Sequence, residues 1–329
     1  MKENNDNHRV WITWENQRRS IELSKAFQAD LLVLDEVFKS KLMRYLYCSS
    51  RTIYFLKNKK PRYVFGQNPS IILALLLCIF KNIFKYKLII DRHSNFRYGK
   101  SNSIVNYIFH KISDYTIRNS DLTIVTNEYL KDVINAKGGS GLVLEDKLPE
   151  MNLGEYIDLS GKVNVVYISS FSSDEPTDKV IEAFKQVDNS IHLFITGNYK
   201  SSIIFADKSK FETENIHFTG YLDEKQFQSL LVSADILIVL TTNDHTLTCG
   251  AYEGVTLVKP MILSNTKAIK DYFNKGVLYC NPDIESIRFS LDKVIENYEN
   301  LKSDLEHLKS TINDNWRNRF EKVSNDIFC

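Results

Sequence analysis

Residues 241–264, TTNDHTLTCGAYEGVTLVKPMILS, put a carboxylate where it could hold a diol. An apolar run, Ile236–Leu240, leads into a polar loop, and Gly250 opens a short helix that carries Glu253. A second apolar run, Met261-Ile262-Leu263, follows. A strand, a polar loop and a helix N-terminus form the crevice in which open α/β sheets hold ligands. A carboxylate one turn inside such a helix can accept two hydrogen bonds from vicinal hydroxyls, as on a nucleotide ribose. The N–H groups ahead of it suit an anion. The plainer alternative is an acid that only complements the helix dipole.

Three other places carry chemistry-bearing side chains at strand ends. Asp91-Arg92-His93-Ser94-Asn95 closes the apolar run Leu88-Ile89-Ile90. There His93 could orient a hydroxyl or move a proton, and Asp91 could orient His93 or act as a general base. Trp14 to Ser20, WENQRRS, is dense in hydrogen-bonding groups, and its Arg18 and Arg19 are expected to meet donor phosphates or a phosphorylated acceptor. A solvated first helical turn is the alternative there. Asn127 ends another run and either lines the same edge or caps the helix that follows.

These residues need a scaffold, and the chain alternates strands with helices throughout. In the first half, strands are expected at Val10–Thr13, Leu31–Leu34, Tyr63–Phe65, Leu88–Asp91, Leu122–Val125 and Leu142–Leu144, with helices near 17–28, 37–58, 70–84, 102–118 and 128–137. In the second half, strands are expected at 163–169, 191–196, 216–218, 236–240, 261–263 and 277–280, with helices near 178–187, 223–232, 250–257, 266–274 and 284–298. Continuous apolar strands alternating with helices mean parallel sheets covered on both faces. Two such series imply two doubly wound domains, 1–150 and 151–312, divided in the aperiodic stretch 149–162. Asn313–Phe328 reads as a last helix, with Trp316 and Phe320 one turn apart as its anchor.

With 329 residues, 43% hydrophobic and 25% charged, the composition is that of an ordinary globular protein of two domains. The net charge of +1 hides an asymmetry: residues 1–150 hold 24 Lys/Arg against 15 Asp/Glu, and the rest hold 18 against 26. A basic half suits an anionic membrane surface or a phosphorylated substrate. Nucleic acid is not expected, because no recognition motif accompanies the charge. Lys39, Lys41, Arg44, Arg51, Lys57, Lys59 and Lys60 accompany Phe38, Leu42, Tyr45, Leu46 and Tyr54, which reads as a membrane-surface helix or as a packed helix with a cationic face. The five cysteines are widely spaced and suggest neither a zinc site nor a disulfide framework. The polar start, MKENNDNH, is not a signal peptide, and the apolar run Ile71–Phe80 is too short to span a bilayer. The expected location is the cytoplasm, at the inner face of the cell membrane.

The order and spacing of the second-half segments resemble the donor-binding domain of family-4 glycosyltransferases, group 1, of the GT-B fold. The segments are Val165–Phe184 (VVYISSFSSDEPTDKVIEAF), Ile195-Thr196-Gly197-Asn198, Phe218–Leu222, Ala234-Asp235, Gly250-Ala251-Tyr252-Glu253 and Lys259-Pro260-Met261-Ile262. The resemblance implies two Rossmann-like domains facing a cleft, with the 313–329 helix crossing back to the first. It implies a nucleotide-sugar donor, UDP-sugar above others, and no metal or other cofactor. Glu253 matches the second glutamate of the family's Glu-x7-Glu motif and would bind the ribose. His245 stands where the first glutamate belongs, and with Thr246 would hold sugar hydroxyls. Ser170, Phe171, Gly197, Asn198, Gly250, Ala251 and Tyr252 would complete the donor site, and His93 would lie by the donor sugar. The Arg/Lys pair that usually follows the first strand of this domain is absent from Ser169–Pro176. The implied reaction is hexosyl transfer, with retention, to a glycan or polyprenyl-diphosphate-linked sugar in bacterial envelope polysaccharide synthesis. Two rivals share the fold: a non-catalytic subunit stabilising a partner transferase, and a nucleotide-sugar epimerase.

Overall fold

Short continuous apolar runs, each followed by a helix with one apolar face, can bury themselves together only as parallel strands covered on both sides. The computed structural model describes residues 8–68, 70–93, 104–151 and 155–328, and has that arrangement twice. One unit comprises Met1–Lys147 and Trp316–Cys329, the other Leu148–Asn315. Ser94 and Asn95 of the strand-end motif lie outside the described residues.

Unit 1 runs β1 (Arg9–Thr13), α1 (Arg18–Ala26), β2 (Asp30–Val33), α2 (Lys41–Lys59), β3 (Tyr63–Asn68), α3 (Ile71–Phe84), β4 (Lys87–Arg92), α4 (Ile104–Asn119), β5 (Leu122–Val125), α5 (Glu128–Ala136) and β6 (Gly141–Val143). Its six strands are all parallel, in the order β2-β1-β3-β4-β5-β6. Alternate residues of β1 face opposite ways. Trp11 stacks on Phe65 at 5.2 Å in one core with Phe27, whereas Val10 and Ile12 join Leu73, Leu77 and Leu88 in another.

Unit 2 runs β7 (Val163–Tyr167), α6 (Thr177–Phe184), β8 (Ile191–Thr196), β9 (Ile216–Gly220), α7 (Glu224–Ser233), β10 (Ile236–Val239), α8 (Cys249–Leu257), β11 (Met261–Ser264), α9 (Lys267–Tyr272), β12 (Val277–Cys280) and α10 (Ile284–Glu296). This sheet is also wholly parallel, in the order β12-β11-β10-β7-β8-β9. From β7 the chain winds one way to β9, crosses back to β10, then winds the other way to β12. Consequently α6 packs in one core, with Val180 and Ile181, and α8 in the other, with Ala251 and Val255.

The last helix, α11 (Tyr298–Phe328), is 31 residues long and starts well before the expected 313. Leu301, Leu305, Leu308, Ile312, Trp316, Val323 and Ile327 follow one another at helical spacing without glycine or proline. That stripe reaches back through the polar stretch before residue 313. Leu305, Leu308 and Ile312 pack in the core of unit 2; Trp316, Val323 and Ile327 pack in the core of unit 1. In unit 1, Trp316 stacks on Phe320 at 5.1 Å and donates its indole N–H to the Glu145 carbonyl at 3.1 Å. Burial of a large ring plus a satisfied N–H makes it the anchor of this segment. Trp316→Ala should cost about 3–5 kcal/mol, read as a lower urea midpoint; a loss within experimental error would show that the segment contributes no packing energy.

Candidate functional site

In unit 2 the winding reverses between β7 and β10, which pair directly. The chain leaves these neighbouring strands toward helices on opposite faces of the sheet, α6 and α8. Such a reversal opens the crevice in which doubly wound folds bind ligands. The expected donor residues Ser170, Phe171, Gly197, Asn198, His245, Thr246, Gly250 and Glu253 all sit in the segments that leave β7, β8 and β10.

Close backbone approach shapes this edge. Gly197 has φ +100, and a Cβ there would stand 2.2 Å from the Ser169 carbonyl oxygen. Glycine alone fits both the conformation and the space. Helix α8 lies equally close to the sheet: a Cβ on Gly254 would stand 2.1 Å from the Met261 sulfur, and one on Gly250 about 3.0 Å from Ile168 and Val239. These two glycines bring the first turns of α8 down onto β10 and β11. Glu253 is thereby held in the second turn at 7% exposure. Thr248, the N-cap, places no side-chain hydrogen bond across the helix start.

Not every expected donor residue offers its side chain. Ala251 and Tyr252 are core residues: Tyr252 packs edge-on against Phe273 at 5.0 Å and beside Tyr272 at 5.5 Å. This face of the helix meets the core, and the Ala251 N–H already donates to the Thr248 carbonyl at 3.1 Å. Phe171 adopts a left-handed conformation, φ 59, and its ring packs on Phe205 and Phe218. Asn198 is exposed; His245 and Thr246 are half-buried.

Two acids, Asp174 and Glu175, fill the loop after β7. Glu175 accepts hydrogen bonds from Ser169 Oγ at 2.7 Å, Ser170 Oγ at 2.8 Å and the Ser170 N–H at 2.9 Å. Asp174 reaches the other loop, accepting from Thr241 Oγ1 at 2.7 Å and Asn243 Nδ2 at 2.9 Å, while its carbonyl accepts from the Thr242 N–H at 2.7 Å. Burial works to raise the Asp174 pKa, but bonds from Ser172, Thr241 and Asn243 outweigh it and hold the carboxyl below its usual range. Asp174 therefore ties the two loops together, and Glu175 braces the first from within. The signal available was the Asp-Glu-Pro at a helix start, where acids find backbone donors.

In unit 1 the corresponding reversal lies between β1 and β3. Thr13, Gln17 and Gln67 are hydrogen-bonded in series there. Asn68, at the end of β3, is 1% exposed, and its Oδ1 has no hydrogen-bond partner among the described residues. Beside it, the strand-end reading needs correction. Arg19 is not presented to an anion. Its Nε and Nη2 donate to Asp91 at 3.0 and 2.8 Å, its Nη1 to Asp146 at 2.6 Å, and its Nη2 also to the Leu144 carbonyl at 2.9 Å. The side chains of Arg19 and Asp91 are 6% and 0% exposed. Burial alone would raise the Asp91 pKa, but the Arg19 charge and the bonds from His93 and Arg19 bring it down to about 2. With its carboxylate engaged by Arg19 and 0% exposed, Asp91 is not presented to an acceptor hydroxyl in this structure. Of the two roles weighed for Asp91, orienting His93 fits: His93 Nδ1 lies 3.1 Å from Asp91 Oδ2 and its ring is partly exposed. Arg18 is half-buried at the start of α1. Asn127 caps α5, accepting from the Leu130 N–H at 3.0 Å.

Residues 157–309 match the family model for glycosyl transferases group 1. No curated protein sequence matches the chain. Among solved structures, the chain is similar to sucrose-phosphate synthase from Thermosynechococcus elongatus, with a TM-score of 0.78 and 11% identity over 97% of this chain and 98% of that one. It is also similar to HepE from Anabaena in complex with UDP and glucose, with a TM-score of 0.71 and 11% identity over 96% and 100%. A third is the E. coli trehalose-6-phosphate protein bound with UDP-2-fluoro glucose, with a TM-score of 0.69 and 13% identity over 95% and 84%. The fold is the two-unit α/β architecture of GT-B proteins.

The Arg19–Asp91 pair sets a pH-dependent test. The folded Asp91 pKa is depressed, so its stabilisation is complete above about pH 4 and is lost as pH falls toward 2. Arg19→Met leaves a buried carboxylate uncompensated and should cost about 3–5 kcal/mol at pH 7. At pH 3 the orphaned carboxyl can take up a proton, so the deficit should shrink. Urea unfolding at the two pH values measures this; an equal deficit at both would remove the ion pair from the account.

Proposed function

We propose that this chain, whose residues 157–309 match the family model for glycosyl transferases group 1, moves a hexosyl group from a nucleotide sugar to a hydroxyl of a glycan or lipid-linked sugar. The observation that carries the reading is Glu253, buried in the second turn of α8 at the winding reversal of unit 2. A carboxylate there can accept both hydroxyls of a ribose, and the N-terminus of α8 would offer backbone N–H groups to the phosphates. UDP is the expected nucleotide, a choice supported by the UDP-containing structures that share this fold.

In the reaction, the acceptor oxygen bonds to the anomeric carbon as the bond from that carbon to the donor diphosphate breaks. The nucleoside diphosphate leaves with the bonding pair, and in the retaining route the acceptor proton passes to a donor phosphate oxygen. His93, fixed by Asp91, supplies an imidazole to orient a sugar hydroxyl. The product would enter envelope polysaccharide synthesis.

One observation favours a second reading. Glu175 occupies the N–H and hydroxyl donors of the loop that usually grips phosphate, and that loop carries no Arg or Lys. A non-catalytic subunit would tolerate this arrangement. Calorimetry with UDP and a UDP-sugar panel tests the first reading. Glu253→Gln should weaken UDP binding about tenfold or more, the value of a hydrogen bond to a charged group. Undiminished binding by the variant would dismiss Glu253 as the ribose ligand; tight UDP binding by the parent with neither transfer nor donor hydrolysis would favour the subunit.

A further inference from the structure

Helix α4 is amphipathic the wrong way round. Its buried face carries Ser113 and Thr116, which hold the Arg92 guanidinium at 3.0 and 2.8 Å, with Ile117 behind them. Its outward face carries Ile104, Val105, Tyr107 and Ile108, which are 76%, 69%, 63% and 51% exposed, followed by Tyr115. The stripe continues onto α3, which packs against both α4 and α2. Leu75 and Ile79 of α3, with Tyr107, Ile108 and Ile112 of α4, line an open apolar groove of about 370 Å³. On α2, Leu42, Met43 and Leu46 are also exposed. The first turns of α2 and α4 both follow strand C-termini, so these apolar side chains gather at the same edge of the sheet as His93.

Cations predominate on these three helices, although Lys81 is paired with Asp121 and Lys59 with Asp30. Lys41, Arg44, Arg51, Lys57 and Lys59 lie on α2, Lys81 on α3, and Lys111 and Arg118 on α4; the three helices hold a single acid, Asp114, which is paired with Lys137. Exposed apolar side chains ringed by cations, with tyrosines among them, match the boundary between headgroups and acyl chains of an anionic bilayer. Lys111 sits 5.3 Å from the Tyr107 ring, an arrangement that lets its stem lie in the apolar layer while its charge meets headgroup phosphate. A second copy of the chain is disfavoured, because a symmetric contact would set these cations against themselves.

We propose that unit 1 docks on an anionic lipid surface through the outer faces of α4, α3 and the start of α2. The sequence drew attention to α2 for its lysines; the structure makes α4 the apolar component. The inference deepens the acceptor side of the proposed function: a lipid-linked sugar would be met at the surface that carries it. It rests on that reading for its purpose, while its observations belong to unit 1 alone.

The test is co-sedimentation of the full chain with vesicles of phosphatidylcholine alone and of phosphatidylcholine mixed with phosphatidylglycerol. Binding is expected to the mixed vesicles and not the neutral ones, and should weaken as salt rises. Val105→Glu combined with Ile108→Glu, both at exposed positions, should lower binding about tenfold or more, since each loses apolar burial and adds repulsion. The melting temperature and UDP affinity of the variant should match those of the parent. Failure to bind mixed vesicles, or equal binding by the variant, overturns the proposal. So does a parent dimer that this variant converts to monomer without any vesicle binding, which would assign the face to a second copy. UDP affinity is read in every arm, so a failed docking surface is distinguishable from a failed donor site.

Discussion

The reversal of winding within each parallel sheet is the constraint on which the rest depends. A strand feeding a helix returns to a parallel neighbour with one hand only. Once β7 winds toward β8 and β10 toward β11, their helices must cover opposite faces, with the two exit loops leaving the same sheet edge. The crevice is therefore a consequence of strand order and needs no special residue to open it. What the residues decide is its depth and its lining. Gly250 and Gly254 let α8 settle on the sheet, and Gly197 lets the end of β8 pass beneath Ser169.

Charge is treated differently in the two units. Unit 2 braces its crevice with acids that accept from hydroxyls and backbone N–H groups, Asp174 across the two loops and Glu175 within one. Unit 1 buries a charge pair outright. Arg19 gathers Asp91, Asp146 and a main-chain carbonyl, and Asp91 then holds His93. Buried pairs of this kind carry a desolvation cost that their attraction only partly offsets, so their usefulness lies in fixing geometry. Here the fixed geometry is that of one imidazole at the carboxyl edge of β4.

Parallel strands and their helices were legible because each strand is a continuous apolar run bounded by polar or turn residues. Val163–Tyr167 and Ile236–Val239 lie within the expected ranges. The start of α11 was missed although Leu301, Leu305, Leu308 and Ile312 keep helical spacing, because the intervening Lys, Ser, Asp and Glu looked like a connection. Tyr252 was assigned to the donor on its neighbours in the motif, yet its ring belongs to the core with Phe273. A motif names consecutive residues, but a helix turns each by about 100°, so only some face the ligand.

By itself the sequence determined the class of fold, two parallel sheets with helices on both faces, and the chemistry of the second-half segments that match group 1 glycosyl transferases. Both are local properties: hydrophobic period sets the elements, and residue type at a strand end sets the functional groups on offer. Tertiary structure decided how those groups are used. Arg19 and Asp91, separated by 72 positions, cancel each other only because α1 and β4 bring them together in the interior. The apolar stripe of α4 reads as an ordinary core face until packing shows Ser113 and Thr116 turned inward on Arg92. Which side of an amphipathic helix meets the core is settled by what lies beneath it, and no periodicity records that.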